Sequence, residues 1–104
     1  MTLTESQKKY LRRLGHDLKP LIMVGDGGLS DTVLVEFEST LAHHELIKVS
    51  VRVGDRAARD AIIEEFCSKG PAQLIQRVGN MALLYRENPD KKKIMIPNRK
   101  AKKR

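Results

Sequence analysis

Residues 20–53 read PLIMVGDGGLSDTVLVEFESTLAHHELIKVSVRV, and this stretch decides the fold. PLIMV (Pro20–Val24) is a short continuous apolar run, the pattern of a strand buried on both faces. Three glycines then fall within four positions, Gly25, Gly27 and Gly28. Ser30 reads as a helix N-cap, and Asp31 sits favourably in the first turn against the helix dipole. Helical spacing to about His43 lines up Val33, Leu34, Phe37 and Leu41 on a core face and leaves Glu36, Glu38 and Ser39 elsewhere. LIKVSVRV (Leu46–Val53) alternates, so Ile47, Val49, Val51 and Val53 face a core while Lys48, Ser50 and Arg52 face away. Strand, glycine turn, helix and strand in this order favour parallel pairing through a right-handed crossover.

Upstream, a helix is expected near Thr4–Leu18, with Thr4 and Gln7 forming a capping box. Tyr10, Leu11, Leu14 and Leu18 fall on its apolar face, and Lys8, Lys9, Arg12, Arg13, His16 and Lys19 fall opposite, without interleaved acids. Gly15 and His16 loosen the final turn and Pro20 stops it. Downstream, a third helix is expected from about Asp55 to Lys69, with Ala58, Ile62 and Phe66 inward, Gly70 as C-cap and Pro71 blocking continuation. AQLIQRV and MALLYRE form a hairpin across Gly79-Asn80, and KKIMIP is a candidate short edge strand. The fold class is α/β: a small mixed sheet of about four strands with three helices in the order α-β-α-β-α-β-β. Residues 1–97 form one domain, and residues 98–104 are expected as a basic, disordered tail.

Charge is placed unevenly. The net charge is +7, yet residues 91–104 carry eight Lys or Arg and no acid, which leaves the preceding ninety residues close to neutral. Such an arm points to a polyanionic partner, nucleic acid first. No apolar run reaches the roughly 18 residues of a membrane span, and MTLTESQKKYLRR has no apolar core of a secretory signal. One cysteine, Cys67, excludes an internal disulfide and suggests a reducing compartment, the cytoplasm. Cys67 lies beside the core stripe of the third helix and reads as a packed or half-exposed thiol. His43-His44 reads as a helix-end pair, because no second Cys stands at ligand spacing. No metal or cofactor is expected. No nucleophile elbow or triad is recognisable, and neither Glu36 and Glu38 nor Glu64 and Glu65 share a helix face. Four aromatic residues give no ladder for stacking successive bases, which favours recognition of backbone and shape.

The glycine loop is the chemically suggestive element. Backbone N–H groups and a helix N-terminus meet there, which suits an anion, and glycines let a phosphate approach closely. The pattern Gly25–Gly28 is G-x-x-G, which in some nucleic-acid modules clamps a few backbone nucleotides. A tight strand-to-helix turn uses glycine in the same way, and from geometry alone both readings stay open. The loop lacks the length and Lys-Ser/Thr ending of a P-loop, and no G-x-G-x-x-G can be drawn.

Taken together, Leu18-Lys19-Pro20, the Gly25–Gly28 loop, HHELIKV (His43–Val49) and VGNMALLYR (Val78–Arg86) resemble the CRM domain family (chloroplast RNA splicing and ribosome maturation), most closely its free-standing bacterial YhbY type. The likeness covers about residues 3–97. It implies a fold like the C-terminal domain of bacterial initiation factor three and an RNA-binding protein that associates with precursors of the large ribosomal subunit. Carried over, the RNA contacts are Gly25, Asp26, Gly27 and Gly28 and, by proximity, Lys19 and Lys48. The basic residues Lys8, Lys9, Arg12 and Arg13 of the first helix and Arg99, Lys100, Lys102, Lys103 and Arg104 of the tail are candidates from charge. Asp26 stands where some relatives carry a basic residue, and Asn80 where lysine is common. With Asp26 and Asp31 nearby, the loop would work through N–H groups and flanking charges. The expectation is a monomer with ribosomal RNA as partner, and no membrane, small-molecule substrate or catalysis. A protein–protein adaptor whose basic tail docks on an acidic partner is the alternative, and a small phosphate-handling enzyme a third reading.

Overall fold

The computed structural model describes residues 3–25, 28–69 and 72–88. Its elements run α1 (Glu5–Gly15), β1 (Pro20–Val24), α2 (Asp31–His44), β2 (Leu46–Val51), α3 (Arg56–Lys69), β3 (Gln73–Val78) and β4 (Met81–Tyr85). This is the expected order of three helices and four strands. The Thr4–Gln7 capping box is present: Thr4 Oγ1 accepts the Gln7 N–H at 3.1 Å, and the Thr4 N–H donates to Gln7 Oε1 at 2.9 Å. Ser30 caps α2, its Oγ accepting the Val33 N–H at 3.2 Å. The candidate strand KKIMIP, the tail and the Gly70-Pro71 stop lie outside the described residues.

The sheet order is β1-β2-β4-β3. β1 and β2 pair in parallel, Pro20 opposite Lys48 and Val24 opposite Val51. β4 is antiparallel to both its neighbours. It turns back from β3 at Gly79, whose φ of 61° suits glycine in a two-residue turn. The ladder is irregular between Pro20 and Ile22 on β1 and between Leu74 and Gln76 on β3, the two outer strands.

Each face of the sheet has its own core. On one, Ile22, Val24, Ile47, Val49, Val51, Ala82 and Leu84 meet Phe37 and Leu41 of α2 and Ile62, Ile63 and Phe66 of α3. The Phe37 and Phe66 rings pack with centroids 4.3 Å apart. On the other, Leu46, Ile75, Leu83 and Tyr85 gather with Leu3 and Leu11. The polar positions of β2 therefore do not simply face water, and Ser50 is buried. Burial pushes the Tyr85 phenol up to about 12, helped by the Glu45 and Glu87 carboxylates.

Two expectations need correction. PLIMV is not buried on both faces: among the described strands β1 lies at the sheet edge, with Ile22 and Val24 inside but Leu21 50% and Met23 61% exposed. The reason is coverage, because α1 packs chiefly on β2 and β3. The first helix also ends at Gly15, so Leu18 lies beyond it, and Leu14 and Leu18 are 40% and 38% exposed. The sheet-facing line is Leu11 and Gly15. A Cβ on Gly15 would stand 2.5 Å from Leu83 Cδ2, so this glycine lets the helix lie close on β4.

One feature had no counterpart in the sequence reading. Glu45, the C-cap of α2, is fully buried with φ 68°. Its Oε2 accepts the Asn88 N–H at 2.6 Å, and its backbone carbonyl accepts the Arg86 N–H at 2.9 Å. Arg86 forks onto both oxygens of Glu38 at 2.9 Å, and Asn88 Nδ2 donates to the Ala42 carbonyl. The end of α2 thus ties down the chain leaving β4.

Candidate nucleic-acid interface

The basic residues of α1 are not one uniform face. Lys9, Arg12, Arg13 and His16 recur at helical spacing along one flank. With Asp17 and Gln76 they line a shallow groove of about 420 Å³ between α1 and β3. Lys8 lies apart from this groove, its Nζ 4.0 Å from Glu5 Oε2. Glu5 and Asp17 also correct the expectation of a face without acids, although an exposed i,i+3 pair such as Lys8–Glu5 holds its partners weakly. Lys48 extends the same positive surface from below, its Nζ donating to the His16 carbonyl at 3.4 Å. That carbonyl is at the negative end of the helix dipole, where a cation is favoured.

Lys48 belongs to this cluster and not to the glycine loop, and Lys19 precedes the same end of β1. Lys48 stands opposite Pro20, the residue after Lys19, at the start of β1. Gly25 follows the end of the same strand, roughly 17 Å from Pro20 at about 3.3 Å per residue. The structure therefore separates the candidates into two groups at opposite ends of β1.

At the loop end, the Gly28 N–H donates to the Gly25 carbonyl at 2.9 Å, and Gly28 has φ 77°. One N–H of the loop is thus used to close the turn. A Cβ at Gly25 or Gly28 would meet nothing within 4 Å, so both positions are open to approach. Asp26, Gly27 and the tail candidates Arg99 to Arg104 lie outside the described residues. The basic residue whose backbone meets the strand end just before the loop is Arg52. Its N–H donates to the Val24 carbonyl at 2.7 Å, and its Nε donates to Ser50 Oγ at 3.4 Å. Strand alternation places Arg52 off the core, but its position beside the loop depends on the β1–β2 register. Gln76 and Asp17 were missed for the same reason, since the groove exists only once α1 lies across β3.

Several other titratable groups pack against structural partners, whereas the buried Arg59 Nε has no hydrogen-bond partner among the described residues. Arg77 holds Asp60 at 3.2 Å and the Gly79 carbonyl at 2.8 Å. The His43 and His44 rings are exposed and meet edge to face at 4.7 Å. Cys67 is half-buried, and burial pushes its thiol up, with the Glu64 charge adding to the effect. Among the described residues, no group of three or more His, Cys, Asp or Glu side chains is placed to hold a metal, and no helix is long and apolar enough to cross a membrane.

Comparison with known proteins finds relatives that are named for RNA binding. A protein of Pseudomonas aeruginosa named as a probable RNA-binding protein is 45% identical over 86% of both chains. One of Haemophilus influenzae named an RNA-binding protein is 40% identical over 94% of this chain and 98% of its own. The solution structure of a hypothetical protein from Staphylococcus aureus superposes with a TM-score of 0.78 at 33% identity, covering 92% of this chain and all of that one. The family model of the CRS1/YhbY (CRM) domain matches residues 3–86. With most of its length matched by that model and by these relatives, the chain belongs to the CRS1/YhbY (CRM) domain family.

Proposed function

We propose that this chain is a cytoplasmic RNA-binding protein that associates with precursors of the large ribosomal subunit and assists their assembly without catalysis. The observation that carries the reading is the groove of Lys9, Arg12, Arg13 and His16, joined by Lys48, in a chain whose relatives are named for RNA binding. Cations spaced along a rigid helix suit the phosphates of structured RNA. The Gly25–Gly28 turn, with Arg52 beside it, acts as a second phosphate contact at the far end of β1. The tail residues Arg99 to Arg104 add affinity without sequence preference. The protein works as a monomer.

The test is gradient sedimentation of cell extract with crosslink mapping to RNA. Wild type should travel with large-subunit precursors and crosslink to ribosomal RNA. Lys9→Glu with Arg13→Glu should release it, whereas Glu36→Lys with Ser39→Lys on α2 should not. Equal co-sedimentation of both variants and wild type would refute the α1 groove as the contact.

A further inference from the structure

We propose that the loop end of the α1-side sheet face is a docking platform for an unpaired RNA base. The inference rests on the RNA-binding reading and names the kind of RNA that this face takes. The ladder builds the platform: Met23 stands opposite Ser50, Ser50 opposite Met81, and Met81 opposite Val78. Residues paired in this way share a face, so one row crosses all four strands. Met23 is 61% and Val78 is 63% exposed, and Met81 is half-buried between them. Ser50 at the centre is 1% exposed, and the Nε of the exposed Arg52 reaches over it to its hydroxyl. The row is thus methionine, arginine over serine, methionine and valine. α1 covers the other half of this face, over Leu46, Leu83, Tyr85 and Ile75.

The chemistry selects the occupant. A flat π-system is held by polarisable thioethers and by the plane of a guanidinium, which replaces the aromatic ring that other RNA-binding sheets supply. A base inside a duplex hides both faces in the stack, so only an unpaired one can lie on the row. Phosphate continuity fits: the Arg52 N–H is bonded to Val24, so the row begins where the Gly25 turn begins. The titratable side chains that β2 and the residue after it bring to this face are Lys48 and Arg52, both cationic. A second copy docking here through the same row would bring like charges together, which disfavours self-association.

The probes are a hairpin RNA with an unpaired loop carrying 2-aminopurine and a blunt duplex with the same stem, both read by fluorescence anisotropy. Wild type should bind the hairpin more tightly than the duplex and change the 2-aminopurine emission. Met23→Ser with Val78→Ser alters only exposed side chains. It should weaken hairpin binding roughly tenfold, the scale of one lost base contact, and leave duplex affinity and the salt dependence unchanged. Arg52→Lys keeps the charge but removes the plane, and should abolish the hairpin preference. Equal loss on both RNAs, or no loss, overturns the platform. So does a wild type that binds hairpin and duplex alike, in which case the RNA-binding reading survives. A wild type that binds neither refutes both readings. Sedimentation velocity adds one further outcome: a wild-type dimer that Met23→Ser converts to monomer would assign the row to a second copy and overturn the proposal.

Discussion

The two faces of the sheet use the same four strands and end in different states. Two helices cover most of one of them, and its apolar residues close around the Phe37–Phe66 pair, with Leu74 at the β3 margin left 41% exposed. A single eleven-residue helix covers the other, which leaves Leu21, Met23 and Val78 in solvent beside Lys48 and Arg52. The strand pattern is similar on both sides, so helix coverage sets the difference. A face completed by two helices is a core, while a face covered by one short helix retains room for a partner. In this chain the half-covered face is also the one that carries the basic groove.

The strongest way to break the comparison is to damage the sealed side. Phe66→Ala removes a fully buried ring and its packing on Phe37, and should cost about 3–5 kcal/mol, read by urea denaturation. For a domain of this size that is a large share of total stability, so RNA binding should be lost through unfolding. A smaller effect is expected where α1 meets the sheet. Gly15→Val must displace Leu83 or lift the helix, and should cost about 1–3 kcal/mol in the same measurement. Here binding should fall even at temperatures where the protein remains folded, because the groove depends on α1 lying flat.

Glu38→Gln sharpens the contrast by touching neither core. The hydrogen bonds from Arg86 hold the Glu38 carboxyl below its usual value, against a smaller opposing effect of burial. A carboxyl depressed in the folded state contributes stability above its unfolded pKa, about 4.3, and loses it as pH falls through the folded value. The side chain is 47% exposed, so solvent screens much of the pair. The variant should be less stable at neutral pH by roughly 0.2–1 kcal/mol. That gap should close in acid, as thermal melts across pH would show. Least of all should Lys9→Glu with Arg13→Glu disturb the fold, within about 0.5 kcal/mol. Affinity for a ribosomal RNA fragment should nevertheless drop, and the slope of log K against log salt should flatten by roughly 0.7–0.9 for each lost phosphate contact. A large stability loss in this double variant would mean that the groove belongs to the core after all.

Element order was legible because local signals agreed. Thr4 with Gln7 and Ser30 with Asp31 mark helix starts, and Gly79-Asn80 marks the hairpin. Coverage was not legible. PLIMV looks equally apolar on both sides, and only the placement of α1 shows that Leu21 and Met23 stay outside. The basic residues of α1 could be read from periodicity, whereas their partners Gln76 and Lys48 come from distant strands. Lys19 seemed close to the glycine loop because both flank β1, yet a strand separates its two ends by its full length. Glu45 carries no signal in sequence, since its burial depends on Asn88 arriving from β4.

The irregular ladders of β1 and β3 have a consequence for life in a crowded cell. An open sheet edge is a template on which a foreign strand can add, and exposed Leu21, Met23, Leu74 and Val78 would make such growth attractive. Both outer strands are short, and each slips register once, at Pro20/Ile22 and at Leu74/Gln76. Pro20 has no N–H to offer in any case. A strand arriving at either edge would find its hydrogen bonds out of step within a few residues. The protein can therefore keep apolar side chains in solvent without inviting its own aggregation.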